Sequence, residues 1–293
     1  MSPHTLSSLD RSVTTCIPEI AALPSDEQIA AFRRAGVGVV RSLLDVAEIE
    51  HLMDAFMKAA ADGPIENLSE TSITTKPGAG DDPLVRYPRF LHPHRRDDLE
   101  IGPLSLRYML DPRINRVLSA LLGEPILAAQ SMFYFKPPGA RGQGLHQDNQ
   151  PLAVHPGTCL AAWIPLDRCD EENGALKVVP GSGPLDLLCD AETEERADIF
   201  FTGRSIKLPG NVMPVIAELD RGDVLLFNGQ LIHGSYPNRS PDRWRRTLIF
   251  HYAPASCEEI AGFYHPLLDM NGNVVERRKS PAGGPCGRFT ERH

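Results

Sequence analysis

An imidazole and a carboxylate stand two residues apart in Gly144-Leu145-His146-Gln147-Asp148-Asn149. Read as an extended strand, this segment turns His146 and Asp148 to the same face, because successive side chains alternate. A second imidazole, His233, occurs in Gln230-Leu231-Ile232-His233-Gly234-Ser235, too far along the chain to join them unless a sheet folds back. Two histidines and one carboxylate on one side of an ion make the facial triad suited to non-haem Fe(II), which leaves other coordination positions open. Further on lies Arg245, in Trp244-Arg245-Arg246-Thr247-Leu248. A buried guanidinium there can hold a carboxylate through two parallel hydrogen bonds. These residue types together suit metal chemistry beside an anion clamp.

The elements that must position them are short strands between Gly/Pro turns. The pattern predicts strands over 127–136, 144–149, 158–166, 176–179, 212–219, 223–227, 231–236 and 245–252, a sequence texture of sandwiches and closed barrels. Asn173-Gly174 and Gly222-Asp223 read as tight turns. Upstream, Ser25 caps a helix ending near Ala35-Gly36, a buried strand follows at Val37–Val40, a second helix runs from Asp45 towards Ala61, and a third spans roughly 103–121. Residues 62–100 show no period and read as a binding loop or lid; 185–211 read as an insertion over the barrel mouth. Without an internal repeat or linker, 1–293 is taken as one domain with a β core at about 125–255. Residues 1–20 and 280–293 are taken as flexible tails.

Composition narrows the class. Hydrophobic residues make up 42% and charged residues 23%, as in soluble globular proteins. The net charge of −8 offers no general attraction to nucleic acid or anionic lipid. Six cysteines without a CxxC pair argue against a structural zinc site or disulfide framework and for reduced thiols. No apolar run is long enough to span a bilayer. The expectation is a soluble, cytoplasmic protein acting on a small molecule.

The ordered set Phe135-Lys136-Pro137-Pro138-Gly139, His146-Gln147-Asp148, Trp163-Ile164-Pro165-Leu166-Asp167, Glu172-Asn173-Gly174, Val179-Pro180-Gly181-Ser182, His233-Gly234-Ser235 and Arg245 resembles the phytanoyl-CoA dioxygenase family of Fe(II)/2-oxoglutarate-dependent oxygenases. The resemblance implies a mainly β fold with flanking helices: a double-stranded β-helix (a jelly roll, cupin-like) behind an N-terminal helical layer. It implies Fe(II) on His146, Asp148 and His233, with 2-oxoglutarate and O2 as cosubstrates. Decarboxylation to succinate and CO2 would then accompany hydroxylation of an unactivated C–H bond. Arg245 would bind the far carboxylate of 2-oxoglutarate and Ser235 would add a hydroxyl hydrogen bond. Gln130 and Tyr134 would be polar contacts in that pocket and Trp163 one of its walls.

This chain departs from the family pattern at Gly183, where the family often has histidine, and in the spacing before Arg245, which leaves Arg246 as an alternative anchor. The presence of Asp148 argues against halogenation, and the stretch 150–155 lacks the tryptophan-rich pattern of ectoine hydroxylases. Candidate substrate residues are Arg86, Tyr87 and Arg89, whose charge suits an anionic or polar molecule. His92, His94, His155 and His251 are read as structural or solvent-facing. Two other readings keep the barrel: a metal-dependent hydrolase or isomerase, and a binding module without chemistry.

Overall fold

Ser25 starts the first helix, α1 (Asp26–Ala35), through a capping box in which it and Gln28 exchange side-chain-to-backbone hydrogen bonds. Gly36 ends it in the left-handed region at φ +75°, its N–H reaching the Phe32 carbonyl at 2.7 Å. A Cβ added at Gly183 would lie 2.5 Å from the Cα of Gly36. The two backbones therefore touch, and this contact accounts for glycine where the resembled sequences often carry histidine. The chain is described from a computed structural model that covers residues 16–71, 82–188, 193–195, 199–200, 204–208 and 212–282.

The remaining helices are α2 (Val46–Ala59), α3 (Pro83–Arg86), α4 (Ile101–Met109), α5 (Pro112–Leu122) and α6 (Asn149–Leu152). The single helix expected over 103–121 is thus two. Pro112 lacks the N–H that continuation would need but suits a first helical position, and Asp111 caps α5 by accepting from the Arg113 N–H at 2.8 Å. Arg113 also forks onto Glu48 of α2 at 2.7 and 2.9 Å, which ties the helical layer together.

The strands are β1 (Val37–Val40), β2 (Phe90–Leu91), β3 (Ile126–Tyr134), β4 (Gly142–His146), β5 (Leu160–Pro165), β6 (Leu176–Val178), β7 (Thr193–Glu195), β8 (Ile199–Phe200) and β9 (Arg204–Ile206). They continue with β10 (Val215–Ala217), β11 (Val224–Asn228), β12 (His233–Ser235), β13 (Thr247–Pro254), β14 (Glu259–Ala261), β15 (Leu267–Leu268), β16 (Val274–Val275) and β17 (Arg278–Ser280). One sheet has the order β1-β11-β5-β13-β3-β15-β16, with β2 also on β3; the other has β10-β6-β12-β4-β8. Their packing makes the jelly roll.

Alternation along the large sheet divides the core in two. Ala162 and Ile164 of β5, Val224 and Leu226 of β11, and Leu248, Phe250 and Tyr252 of β13 pack with helical residues such as Ile49, Phe56 and Leu118. Their neighbours Ala161, Trp163, Leu225, Phe227 and Ile249 face Leu176 and Val178 of the second sheet. Both faces of the large sheet are therefore apolar, which is why its strands show no clear polar alternation.

Several expectations change. The strand expected over 144–149 ends at His146, and Asp148 takes helical backbone angles (φ −68°, ψ −28°) at the start of α6. Residues 17–20 are not a loose tail, since Ile20 is buried and its N–H meets the Val39 carbonyl at 2.7 Å. At the other end Ser280 belongs to β17, parallel to β14. Residues 1–15 and 283–293 lie outside the described residues. The region 62–100 contains α3 and β2, and 185–211 contains β7, β8 and β9; the rest of those calls at 72–81, 189–192, 196–198, 201–203 and 209–211 also lies outside them.

Candidate metal centre

β4 and β12 are antiparallel neighbours, and His146 and His233 are directly opposed partners across them. Sheet pairing thus brings the distant imidazole alongside, with ring centroids 4.3 Å apart. Nδ1 of His146 lies 2.8 Å from the Gly144 carbonyl, and Nδ1 of His233 lies 3.0 Å from that of Leu231. A carbonyl only accepts, so each Nδ1 keeps the hydrogen and each Nε2 offers a lone pair. Asp148 completes the group: Oδ1 is 3.3 Å from His146 Nε2 and Oδ2 is 3.6 Å from His233 Nε2. The three side chains each present a ligand atom within 4.8 Å of the others.

The electrostatics suit a cation. Burial pushes His233 down to about 4, the Asp148 charge only partly opposing it, so the ring is neutral and able to ligate at pH 7. Burial would favour the protonated form of Asp148, but the imidazoles of His233, His251 and His146 outweigh it and hold the carboxyl below its usual range. The side chain is therefore an ionised hard donor beside the neutral ring of His233. Gln143 Nε2 stands 3.1 Å from His146 Nε2.

These donors open on a cavity of about 260 Å³ that Arg245 also lines. Arg245 is only 2% exposed; Nε donates to the Gly174 carbonyl at 3.2 Å, Nη1 donates to Thr247 Oγ1 at 3.1 Å, and the guanidinium lies over the Trp163 ring. The expected turn at Asn173-Gly174 supplies that carbonyl, with Gly174 at φ +88°. Among the described residues no carboxylate forms an ion pair with Arg245. Lys136, 1% exposed, buries its amine close by; its Nζ donates to Ser235 Oγ at 2.8 Å and to the Tyr236 carbonyl at 2.5 Å. Burial, with Arg245's charge adding to it, pushes Lys136 well below the ordinary lysine range. Buried positive charge without a counter-charge is costly, and a bound anion would offset it.

The two neighbouring arginines face opposite ways. Arg245 shares the inward face of Thr247, Ile249 and His251. Arg246 turns the other way and forks onto Asp167 at 2.9 and 2.6 Å. Gln130, Tyr134 and Trp163 line the cavity, as does Met132. Ser235 sits behind the lining, its Oγ accepting from Lys136 and from the Gln143 N–H at 3.1 Å, which leaves its own hydrogen free to donate.

Of the three candidate substrate residues, Arg89 alone is in the cavity wall, bonded to Glu70 and to the Tyr134 hydroxyl. Arg86 instead donates to the Ala60 and Ala61 carbonyls at 3.0 and 2.5 Å. Tyr87 packs edge-on against Trp244, ring centroids 4.9 Å apart. His251 corrects an expectation: it is buried, lines the cavity, and places Nε2 3.0 Å from Asp148 Oδ2. Its signal was its position on the inward face of β13, in step with Arg245. His92 is also buried and His94 is half-buried, its Nδ1 meeting Ser131 Oγ at 2.6 Å. Glu70, Gln143, Phe263 and Tyr264 also line the cavity, and sequence reasoning missed them.

Comparison with known proteins agrees with this geometry. The sequence model described as phytanoyl-CoA dioxygenase matches residues 32–247. The chain is 26% identical over 245 residues to the peroxisomal phytanoyl-CoA dioxygenase of Bos taurus, covering 80% of this chain and 70% of that protein. Among solved structures it resembles EctD from S. alaskensis with 2-oxoglutarate and 5-hydroxyectoine, at TM-score 0.62 and 24% identity over 85% of this chain and 82% of that one. It also resembles the non-heme alpha ketoglutarate dependent carbocyclase SnoK from nogalamycin biosynthesis, at TM-score 0.60 and 18% identity over 95% and 98%. At these identities the two structures speak for the fold alone.

Proposed function

The chain belongs to the phytanoyl-CoA dioxygenase family, and on that premise we propose that it is an Fe(II)- and 2-oxoglutarate-dependent dioxygenase hydroxylating a C–H bond of a small-molecule metabolite or natural-product intermediate. The observation that carries this reading is a buried guanidinium, with no carboxylate ion-pair partner among the described residues, in the same cavity as two imidazoles and a carboxylate. Ferrous ion with 2-oxoglutarate and dioxygen supplies an oxidant strong enough for an unactivated C–H bond, with succinate and CO2 released.

The chain's own residues do the rest. His146, Asp148 and His233 would hold the ion as its three protein ligands. Arg245 grips the far carboxylate of the diacid, Ser235 donates its remaining hydrogen to it, and Trp163 shapes the wall. Gln130 and Tyr134 are polar contacts in the same wall. The whole chain acts as one catalytic unit in the cytoplasm, in keeping with its charge and with free thiols at Cys16, Cys159, Cys169 and Cys257. Among the described residues no helix is long and apolar enough to cross a membrane.

The rest of the cavity wall describes the substrate. Leu91, Pro151, Leu152 and Phe263 give it an apolar side, while Glu70 and Arg89 give it a charged one. We take the substrate to have a hydrocarbon or ring body and a polar end that reaches Arg89. Phe263 is 57% exposed although it lines the cavity, the position of a residue waiting to be covered. With a substrate found by screening for succinate release, Phe263→Ala should raise KM about tenfold, the equivalent of about 1.4 kcal/mol of lost apolar contact. The affinity for 2-oxoglutarate should not move. An unchanged KM removes Phe263 from the substrate site.

The decisive test of the function is anaerobic titration with Fe(II) and 2-oxoglutarate. A weak visible charge-transfer band that needs both components is expected. Tight metal binding without that band on adding 2-oxoglutarate would instead favour a hydrolase or isomerase on the same barrel.

A further inference from the structure

We propose that His251 is a positioning residue of the metal centre, holding Oδ2 of Asp148 so that the carboxylate meets the ion through Oδ1 alone. The inference rests on the iron reading above and adds to it a fourth residue, outside the triad. His251 is 2% exposed and its Nε2 lies 3.0 Å from Asp148 Oδ2. Its Nδ1 is buried with no hydrogen-bond partner among the described residues. Among the described residues the contact to Asp148 is thus the one hydrogen bond this imidazole makes. A neutral ring in that setting must carry its hydrogen on Nε2, because a carboxylate only accepts.

The backbone aims the ring. β13 pairs with β3 so that His251 opposes Gln130, and with β5 so that it opposes Ala161, both on the inward face. Directly after this residue the register between β13 and β3 shifts by a bulge. His251 is therefore the last residue of the inward row Arg245, Thr247, Ile249, His251 before that irregularity. One strand thereby serves both ends of the cavity, with the guanidinium at its start and the imidazole beside the carboxylate ligand.

The chemistry gives the contact a purpose. Asp148 enters the site from the N-cap of α6 rather than from a strand, so its backbone alone does not fix which oxygen faces the ion. A carboxylate with both oxygens free can chelate one cation through both. That would take a coordination position that 2-oxoglutarate or dioxygen needs. A hydrogen bond on Oδ2 opposes chelation and leaves Oδ1, already on the His146 side, as the donor.

Co(II) serves as the probe, since it reports coordination number through its visible absorption without turnover. Wild-type protein should bind Co(II) and then 2-oxoglutarate, with a change in the cobalt spectrum at each step. In His251→Leu the cobalt spectrum should differ from wild type before the cosubstrate is added, and 2-oxoglutarate affinity should fall about 10–100-fold, the usual effect of removing an outer partner of a metal ligand. His251→Gln, whose amide can donate to Oδ2, should recover most of both. A folded His251→Leu protein with the wild-type cobalt spectrum and 2-oxoglutarate affinity would overturn the proposal.

A second measurement needs no variant. With Zn(II) bound to wild-type protein, NMR of the histidine nitrogens should show a hydrogen retained on His251 Nε2 and none on the Nε2 of His146 or His233. A His251 Nε2 without hydrogen would overturn the proposal even if the variants do not fold. Failure of wild-type protein to bind Co(II) or Zn(II) at all would instead sink the metal reading on which it stands.

Discussion

Asp148→Ala is expected to abolish succinate release from 2-oxoglutarate under air and to weaken Fe(II) binding by more than about 100-fold, beyond the 10–100-fold typical of losing an outer-sphere partner. The residue supplies the one hard, charged donor of the set, and both remaining ligands are imidazoles. The apo fold should survive the change. Burial keeps His233 neutral with its pKa at about 4, so removing the carboxylate strands no buried charge there at pH 7. Thermal unfolding separates the two effects. Without metal, variant and wild type should melt at similar temperatures. With Fe(II) under nitrogen, wild type alone should gain stability, by about 2.7 kcal/mol at a metal concentration one hundred times its Kd. A variant that still gains this stability and still turns over would remove Asp148 from the ligand set.

How far such a site can be read from sequence depends on whether each residue's direction is set locally. His146 closes one short strand and His233 opens another, and their types alone suggest a metal. Asp148 was expected beside His146 for the wrong local reason: the strand ends first, and the start of α6 returns the carboxylate to the same place. Arg245 and Arg246 could not be separated by period, because helices cover one face of β13 and the second sheet covers the other. Arg89 enters the cavity while Arg86 and Tyr87 do not, since β2 pairs Leu91 with Met132 on the inward face and Arg89 shares that face by alternation. A two-residue strand inside irregular chain gives no periodic signal from which to read this. Phe263 and Tyr264 arrive from a turn after β14, and nothing in their local sequence marks them as cavity residues. The fold class was legible because Gly/Pro turns recur between short apolar runs. The helix break at Asp111-Pro112 was legible too, and was missed because the apolar residues on either side read as one continuous pattern.

Arg245→Ala should raise the dissociation constant for 2-oxoglutarate by about 10²–10³-fold, while Fe(II) binding stays within a few-fold of wild type. Charge-assisted hydrogen bonds contribute about 1.5–3 kcal/mol each, so a two-bond grip on one carboxylate is worth roughly 3–4 kcal/mol after the desolvation of the anion. Arg245→Lys should fall between, since a single ammonium cannot make the parallel pair. Arg246→Ala should leave 2-oxoglutarate affinity unchanged but lose the fork onto Asp167, and so lower stability instead. The apo protein offers an independent check on the same idea. A guanidinium 2% exposed and without a carboxylate partner among the described residues carries a desolvation cost that its contacts to Gly174, Thr247 and Trp163 only partly offset. Arg245→Ala should therefore leave the melting temperature of the apo protein unchanged or raise it, and abolish the rise that 2-oxoglutarate gives the wild type. A structural ion-pair arginine would behave in the opposite way, destabilising the apo fold when removed and leaving the cosubstrate's effect in place.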